Sequence, residues 1–144
     1  MPTQPAGYSG TPLAKKLGIK PSHSVLFVGA PGGWSIPDLP DDVAVDNRPK
    51  PTDASVASAD VVIAFFGSAD RMTSARSAIA KNLRSDSALW VAWPRKAAGH
   101  PSDISDQLVR ETFLPMGIVD VKVAALDNDW SGLKFVWRLE NRKK

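Results

Sequence analysis

Hydrophobic positions along this chain change their spacing several times, and each change marks a predicted element. The runs "SVLFVG" (24–29) and "DVVIAFF" (60–66) are short, branched and unbroken, which predicts strands buried on both faces. "SALWVAWP" (87–94) is a third strand of this kind, stopped by Pro94. Between them the period lengthens. Met72, Ala75, Ile79 and Leu83 recur at steps of three and four, predicting a helix over 68–83 with Ser68 as its cap and Asp70 in its first turn. Ile104, Leu108 and Thr112, with Val109 and Phe113 beside them, predict a helix over 102–117, capped by Ser102 or Asp103 and closed near Pro115 and Gly117. "TPLAKKLG" (11–18) carries Thr11 as N-cap, Pro12 at the first helical position and Gly18 just past the end, with Leu13 and Leu17 on one face.

The remaining stretches are weaker. "DVAVDN" (42–47) predicts a short strand near a sheet edge, and Thr52–Ser58 has room for one or two helical turns. Pro31, Pro37 and Pro40 forbid a useful helix in the segment between the first two strands. The C-terminal stretches "VDVKVAALDND" and "LKFVWRLE" read as two strands joined by a polar turn, "DNDWSG" (127–132). Strands and helices that alternate in this way predict an α/β protein. The expected form is a three-layer α/β sandwich with right-handed crossovers, whose mostly parallel sheet of about six strands ends in an antiparallel hairpin.

Composition narrows the picture. The 144 residues suit one domain over 11–139, with a Pro- and Gly-rich arm at 1–10 and a basic tail at 140–144. No apolar run approaches the roughly 20 residues of a membrane helix, and the first ten residues lack the pattern of a secretory signal, so a cytoplasmic protein is expected. There are no cysteines and two isolated histidines, His23 and His100, so no metal centre is expected. Lys and Arg number 18 against 15 Asp and Glu, but the excess is scattered or lies in the tail, which argues against a specific nucleic-acid partner.

The glycine-rich turn after the first strand invites a test for nucleotide binding. A dinucleotide loop needs glycine at its first, third and sixth positions and opens into a helix whose amino end holds the pyrophosphate. Here Gly29 is followed by Ala30, Pro31, Gly32 and Gly33, so proline occupies the third position and the required helix is missing. Asp46 stands where a ribose-holding acid is expected, at the end of the second strand, though without a crossover helix before it. Gly29 and Asp46 are therefore degenerate cofactor candidates, no cofactor is expected, and S-adenosylmethionine is the alternative.

Three long stretches, "GYSGTPLAKKLGIKPSHSVLFVGAPGGW" (7–34), "ALWVAWPRK" (88–96) and "DNDWSGLKFVWR" (127–138), carry a resemblance over nearly the whole chain. In them the chain resembles the bacterial family catalogued as domain of unknown function 3052, a resemblance that implies neither an activity nor catalytic residues. The layout is also similar to Rossmann-like methyltransferases that use S-adenosylmethionine: a glycine turn after the first strand, a central "DVVIAFF" strand, a "LWVAWP" strand and a closing hairpin. That similarity implies a sheet ordered second, first, third, fourth, sixth, fifth, with the sixth strand antiparallel.

In such a sheet ligands collect at the carboxyl ends of the strands, near the point where the strand order reverses. The residues expected there are Gly32, Gly33 and Trp34 from the first turn, Ser68 and Asp70 after the third strand, Trp93, Arg95 and Lys96 after the fourth, and Asp127, Asp129 and Trp130 from the hairpin. Trp34, Trp93 and Trp130 are expected to converge, either walling a ligand or plugging the sheet. No residue stands out as catalytic. The reading favoured by the residues is a non-catalytic binding or regulatory domain that takes a protein partner or a small molecule on this edge. The alternative is an enzyme of methyltransferase type that binds S-adenosylmethionine or a nucleotide through its degenerate loop.

Overall fold

Five consecutive buried residues, Val61–Phe65, form the middle of the molecule. Their side chains alternate: Val61, Ile63 and Phe65 enter one apolar cluster, Val62 and Ala64 the other. A strand of this kind must be covered on both sides, and the rest of the chain supplies the covers. The structure, a computed structural model, describes residues 12–96, 99 and 102–142. Its elements in chain order are α1 (Leu13–Leu17), β1 (Ser24–Val28), β2 (Ala44–Arg48), α2 (Asp53–Ala57), β3 (Val61–Phe65), α3 (Ala69–Ala80), β4 (Ala88–Pro94), α4 (Asp106–Phe113), β5 (Ile118–Ala125) and β6 (Trp130–Trp137). Single 3-10 turns follow α4 at Leu114–Met116 and β6 at Leu139–Asn141.

The strands form one sheet in the order β2-β1-β3-β4-β6-β5. β1 pairs in parallel with β2 and β3, β3 pairs in parallel with β4, and β6 runs antiparallel to both β4 and β5. This is the order the methyltransferase-like layout implied, with the expected C-terminal hairpin. α2, α3 and α4 cover one face, where Val56, Met72, Ile79, Val109 and Phe113 pack on Leu26, Val62, Leu89 and Phe135. Among the described residues the other face is covered by α1, the proline-rich segment after β1 and Leu126; Leu13, Leu17 and Ile36 lie there against Val25, Ile63 and Trp90. Trp90 has no exposed surface, and its indole N–H donates to the Leu17 carbonyl at 3.1 Å, so α1 is fixed by a hydrogen bond as well as by packing.

The boundaries moved in places. Ser105, not Ser102 or Asp103, caps α4, accepting the Leu108 N–H at 3.2 Å. Ser102 and Asp103 are used otherwise: Ser102 Oγ accepts from the Ile104 N–H, and the Asp103 carboxylate accepts from the Ala69 N–H at the start of α3. Gly18 closes α1 in the left-handed conformation as expected, while Thr11, the arm at 1–10 and residues 143 and 144 lie outside the described residues. Asn141 and Arg142 fold back, donating to the carbonyls of Gly117 and Trp137. No helix among the described residues is long and apolar enough to cross a membrane.

Candidate functional site

The switch in strand order lies between β1 and β3, because β1 leads to β2 on one side while β3 and β4 follow on the other. An open groove of about 640 Å³ sits at the carboxyl ends of these strands. Its floor is Val28 and Gly29 from β1 and the turn after it, and Phe65, Phe66 and Gly67 at the end of β3. The first turns of α3 form one wall through Asp70, Arg71 and Ser74, and the segment Pro49–Pro51 after β2 forms the other. Trp130 closes the end nearest the hairpin. The volume falls within the range of small-molecule sites.

Gly29 shapes the floor. Its φ is +66°, and a Cβ there would lie 3.0 Å from the Phe65 carbonyl oxygen, so the chain turns here with its backbone against β3. Gly67 is different, since a Cβ on it would meet nothing within 4 Å. It borders open space. The charged groups of the groove are Lys50, Asp70 and Arg71, all exposed, and none of their side chains is hydrogen-bonded or ion-paired among the described residues. α3 begins beside them, with Ser68 Oγ accepting the Arg71 N–H, so Ser68 serves as the cap and its expected role in the site falls to Asp70.

Trp34 and Trp130 do meet, through Phe65. Trp34 stacks edge-on against Phe65 with centroids 4.8 Å apart, and Phe65 against Trp130 at 5.1 Å; Phe27 adds a further edge contact to Trp34 at 5.3 Å. Aromatic pairs of this geometry contribute about 0.5–1.5 kcal/mol each beyond area burial. The Trp34 indole N–H also donates to Asp127 Oδ2 at 2.9 Å. Trp34 is thus a plug held from two sides, while Trp130 is both part of the stack and a wall of the groove.

Trp93 does not join them. Strand alternation turns Trp90 and Ala92 toward α1 and sends Trp93 to the α3–α4 face. It borders a second hollow, of about 530 Å³, together with Arg95, Lys96, Asp106 and Val123. The expected hairpin turn is also shorter than 127–132: Trp130, Ser131 and Gly132 are strand residues, paired with Pro94, Trp93 and Ala92. Asp127 builds the remaining turn by accepting the N–H groups of Asp129 and Trp130. The Asp129 carbonyl accepts from the Arg95 N–H, and Arg95 Nη1 reaches the Asp127 carbonyl at 3.3 Å. Asp127, Asp129 and Arg95 therefore brace the hairpin rather than face the groove.

Of the two cofactor candidates, Gly29 stays on the groove floor and Asp46 moves away from it. Asp46 is not at the end of β2; it pairs with Leu26 in mid-strand, and its carboxylate accepts from Arg48 Nε at 2.8 Å. The residues that follow β2 at the groove are Pro49, Lys50 and Pro51. Gly32 and Gly33 are exposed on the segment after β1 and do not line the groove, which begins at Gly29. Lys50, Phe66 and Arg71 were not singled out from the sequence. The available signal was positional: each directly follows a parallel strand or opens the helix after one.

Comparison with protein-family models and with curated proteins in sequence finds no match. Solved structures do match. An S-adenosylmethionine-dependent methyltransferase from Aquifex aeolicus superposes with a TM-score of 0.61 at 14% identity, covering 85% of this chain and 86% of that one. Fibrillarin from Aeropyrum pernix, in complex with natively bound S-adenosyl-L-methionine, gives 0.55 at 13% identity over 90% and 70% of the two chains. A TehB-like S-adenosylmethionine-dependent methyltransferase from Corynebacterium glutamicum gives 0.54 at 10% identity over 92% and 91%. These neighbours correct the expectation of no cofactor. That expectation rested on proline at the third position of the turn that begins at Gly29 and on the missing helix after it, whereas neighbours of this fold use or hold S-adenosylmethionine. What the likeness establishes for this chain is its fold, a Rossmann-like methyltransferase fold.

Proposed function

We propose that the groove between β1, β3 and α3 binds S-adenosylmethionine or a closely related adenosine compound, and that the chain is an S-adenosylmethionine-binding protein of methyltransferase type. The observation that carries this reading is the groove itself: about 640 Å³ of open space at the switch point of a methyltransferase-like sheet, floored by Gly29 and Gly67. Its walls suit an adenosine group. Phe66, Val28 and Ala75 supply apolar surface for a planar base, and Trp130 stands at the hairpin end. The acid that would hold the ribose does not come from β2, where Asp46 is occupied by Arg48. Asp70 is the carboxylate within the groove and takes that place in the proposal. When bound, the cofactor would supply an activated methyl group; this chain's residues would orient it, with no group assigned to the transfer itself. Membership of the domain of unknown function 3052 family is part of the same reading, resting on stretches 7–34, 88–96 and 127–138.

Calorimetry with S-adenosylmethionine and S-adenosylhomocysteine tests it. Binding in the micromolar range is expected, with loss of at least ten-fold in Gly67→Trp, which fills the groove without backbone strain. Absence of heat with both compounds, or equal affinity in Gly67→Trp, would overturn the reading. Binding without methyl transfer to any acceptor tried would return the chain to a ligand-sensing role on the same groove.

A further inference from the structure

The C-terminal hairpin gathers positive charge on the face that carries α1. β5 and β6 keep a regular register from Ile118↔Trp137 to Asp120↔Phe135, and then a bulge intervenes before Lys122↔Lys134. In the uninterrupted register Val121 would oppose Lys134; the bulge instead leaves Val121 55% exposed and sets two lysines directly across from each other. Both features are unfavourable for an isolated hairpin, since like charges at paired positions repel and an aliphatic side chain is given to water.

α1 adds to the cluster. Lys134 Nζ lies against Gly18, and Lys122 Nζ donates to the Lys16 carbonyl at 3.4 Å. Lys16 is buried and its ammonium donates to the Ala125 carbonyl at 3.3 Å. Lys20 follows just beyond α1. Burial, and then the charges of Lys122 and Lys20, hold the Lys134 ammonium below the usual lysine range. Lys16 is lowered in the same way by burial and by Lys122. Among the described residues no carboxylate ion-pairs with Lys20, Lys122 or Lys134. The Lys16 and Ala125 carbonyls hold the Lys122 and Lys16 ammonium groups in place without neutralising them.

We propose that Lys122 and Lys134 form a binding site for a phosphate-type oxyanion, separate from the groove and independent of the function proposed for it. Two lysines at directly opposed positions on one face of the hairpin fit an anion that carries more than one negative charge and several acceptor oxygens. A phosphate group has this character, with a charge of about −1.5 to −2 near neutral pH, and lysine serves it as a point charge. The phosphate belongs to a free phosphorylated molecule or to a nucleic-acid backbone, and the two sources separate in the test.

The experiment compares the full chain with Lys122→Gln, Lys134→Gln, the double variant, and Lys81→Gln as an exposed lysine elsewhere. Melting temperature is followed as pyrophosphate replaces chloride at constant ionic strength, and a labelled oligoribonucleotide is titrated in parallel by anisotropy. Pyrophosphate is expected to raise the wild-type and Lys81→Gln melting temperatures by about 5 °C. Each single variant loses at least half of that rise and the double variant nearly all of it. In chloride alone the variants melt no lower than wild type, because the paired like charges are gone. Oligonucleotide binding tighter than that of pyrophosphate, and lost in the double variant, identifies backbone phosphate as the source; a response to pyrophosphate alone identifies a free phosphate. No response to either anion, or a response undiminished in the double variant, overturns the proposal.

Discussion

The indole of Trp34 and the carboxylate of Asp127, 93 residues apart in the chain, share a hydrogen bond of 2.9 Å. It ties the proline-rich segment after β1 to the β5–β6 hairpin across the top of the sheet. That segment has no regular secondary structure of its own, so a side chain bonded on one side and stacked on Phe27 and Phe65 on the other is what gives it a fixed path. Trp34→Phe keeps most of the stack and loses the bond, and is expected to cost about 1 kcal/mol in urea unfolding. Asp127→Ala also removes the acceptor of two turn N–H groups and should cost about 2 kcal/mol. A double-mutant cycle between them should return a coupling near 1 kcal/mol, and a coupling of zero would show that the bond does not hold the segment.

The floor of the groove makes a sharper prediction. Gly29 sits at φ +66°, and its missing Cβ is what lets the chain pass 3.0 Å from the Phe65 carbonyl. Gly29→Ala should lower stability by about 2 kcal/mol, since the left-handed conformation is unfavourable for an L-residue and the carbonyl must move. Gly67→Ala, with ordinary backbone and open space around it, should change stability by no more than about 0.5 kcal/mol. Equal effects from the two, measured by the urea midpoint, would mean that the turn after β1 relaxes freely.

These two regions also show what the sequence discloses and where it falls silent. Val61–Phe65 was legible because a strand apolar on both faces has one place in an α/β sheet, whereas alternation gave only the layered class and the order of the strands came from the similarity of layout to methyltransferases. The glycine turn was legible as a corner. The partners across the sheet were not. Whether Trp93 meets Trp34 depends on strand parity, and one residue of register sends it to the opposite face. The lysine cluster depends on a single bulged residue, Val121, which no local pattern announces. Lys50 and Arg71 belong to the groove only because segments far apart in sequence end at the same edge.

Gly132 tests how tightly the hairpin is packed on the central strands. A Cβ on it would lie 2.9 Å from Leu126 Cδ2 and 3.0 Å from Trp90 Cε3, both in buried side chains. Gly132→Ala is expected to cost about 1–3 kcal/mol through overpacking. Combining it with Leu126→Ala, which opens space at the same point, should give a loss about 1 kcal/mol smaller than the sum of the two single losses. Strict additivity would indicate that the clash is relieved by Trp90 instead.

Asp60 stands just before β3, at the end of the sheet opposite the groove, and it carries the acid dependence. Burial pushes its carboxyl upward, but the Ser24 N–H at 2.8 Å, the bound Arg84 guanidinium and the charge of His23 outweigh burial and hold it below the ordinary carboxylate range. A carboxyl lowered on folding binds fewer protons in the native state. Its contribution is therefore fully present above the unfolded value of about 4 and is lost as the pH falls through the lower folded value. Asp60→Asn removes the charge on which Arg84 depends and should cost about 1–2 kcal/mol at pH 7, a modest figure because the pair is partly exposed. As the pH falls through the lowered folded value, wild type gives up the same contribution, so the gap between the two urea midpoints should narrow. A gap that keeps its full size as the pH is lowered would mean that the loss in Asp60→Asn does not come from the carboxylate's charge.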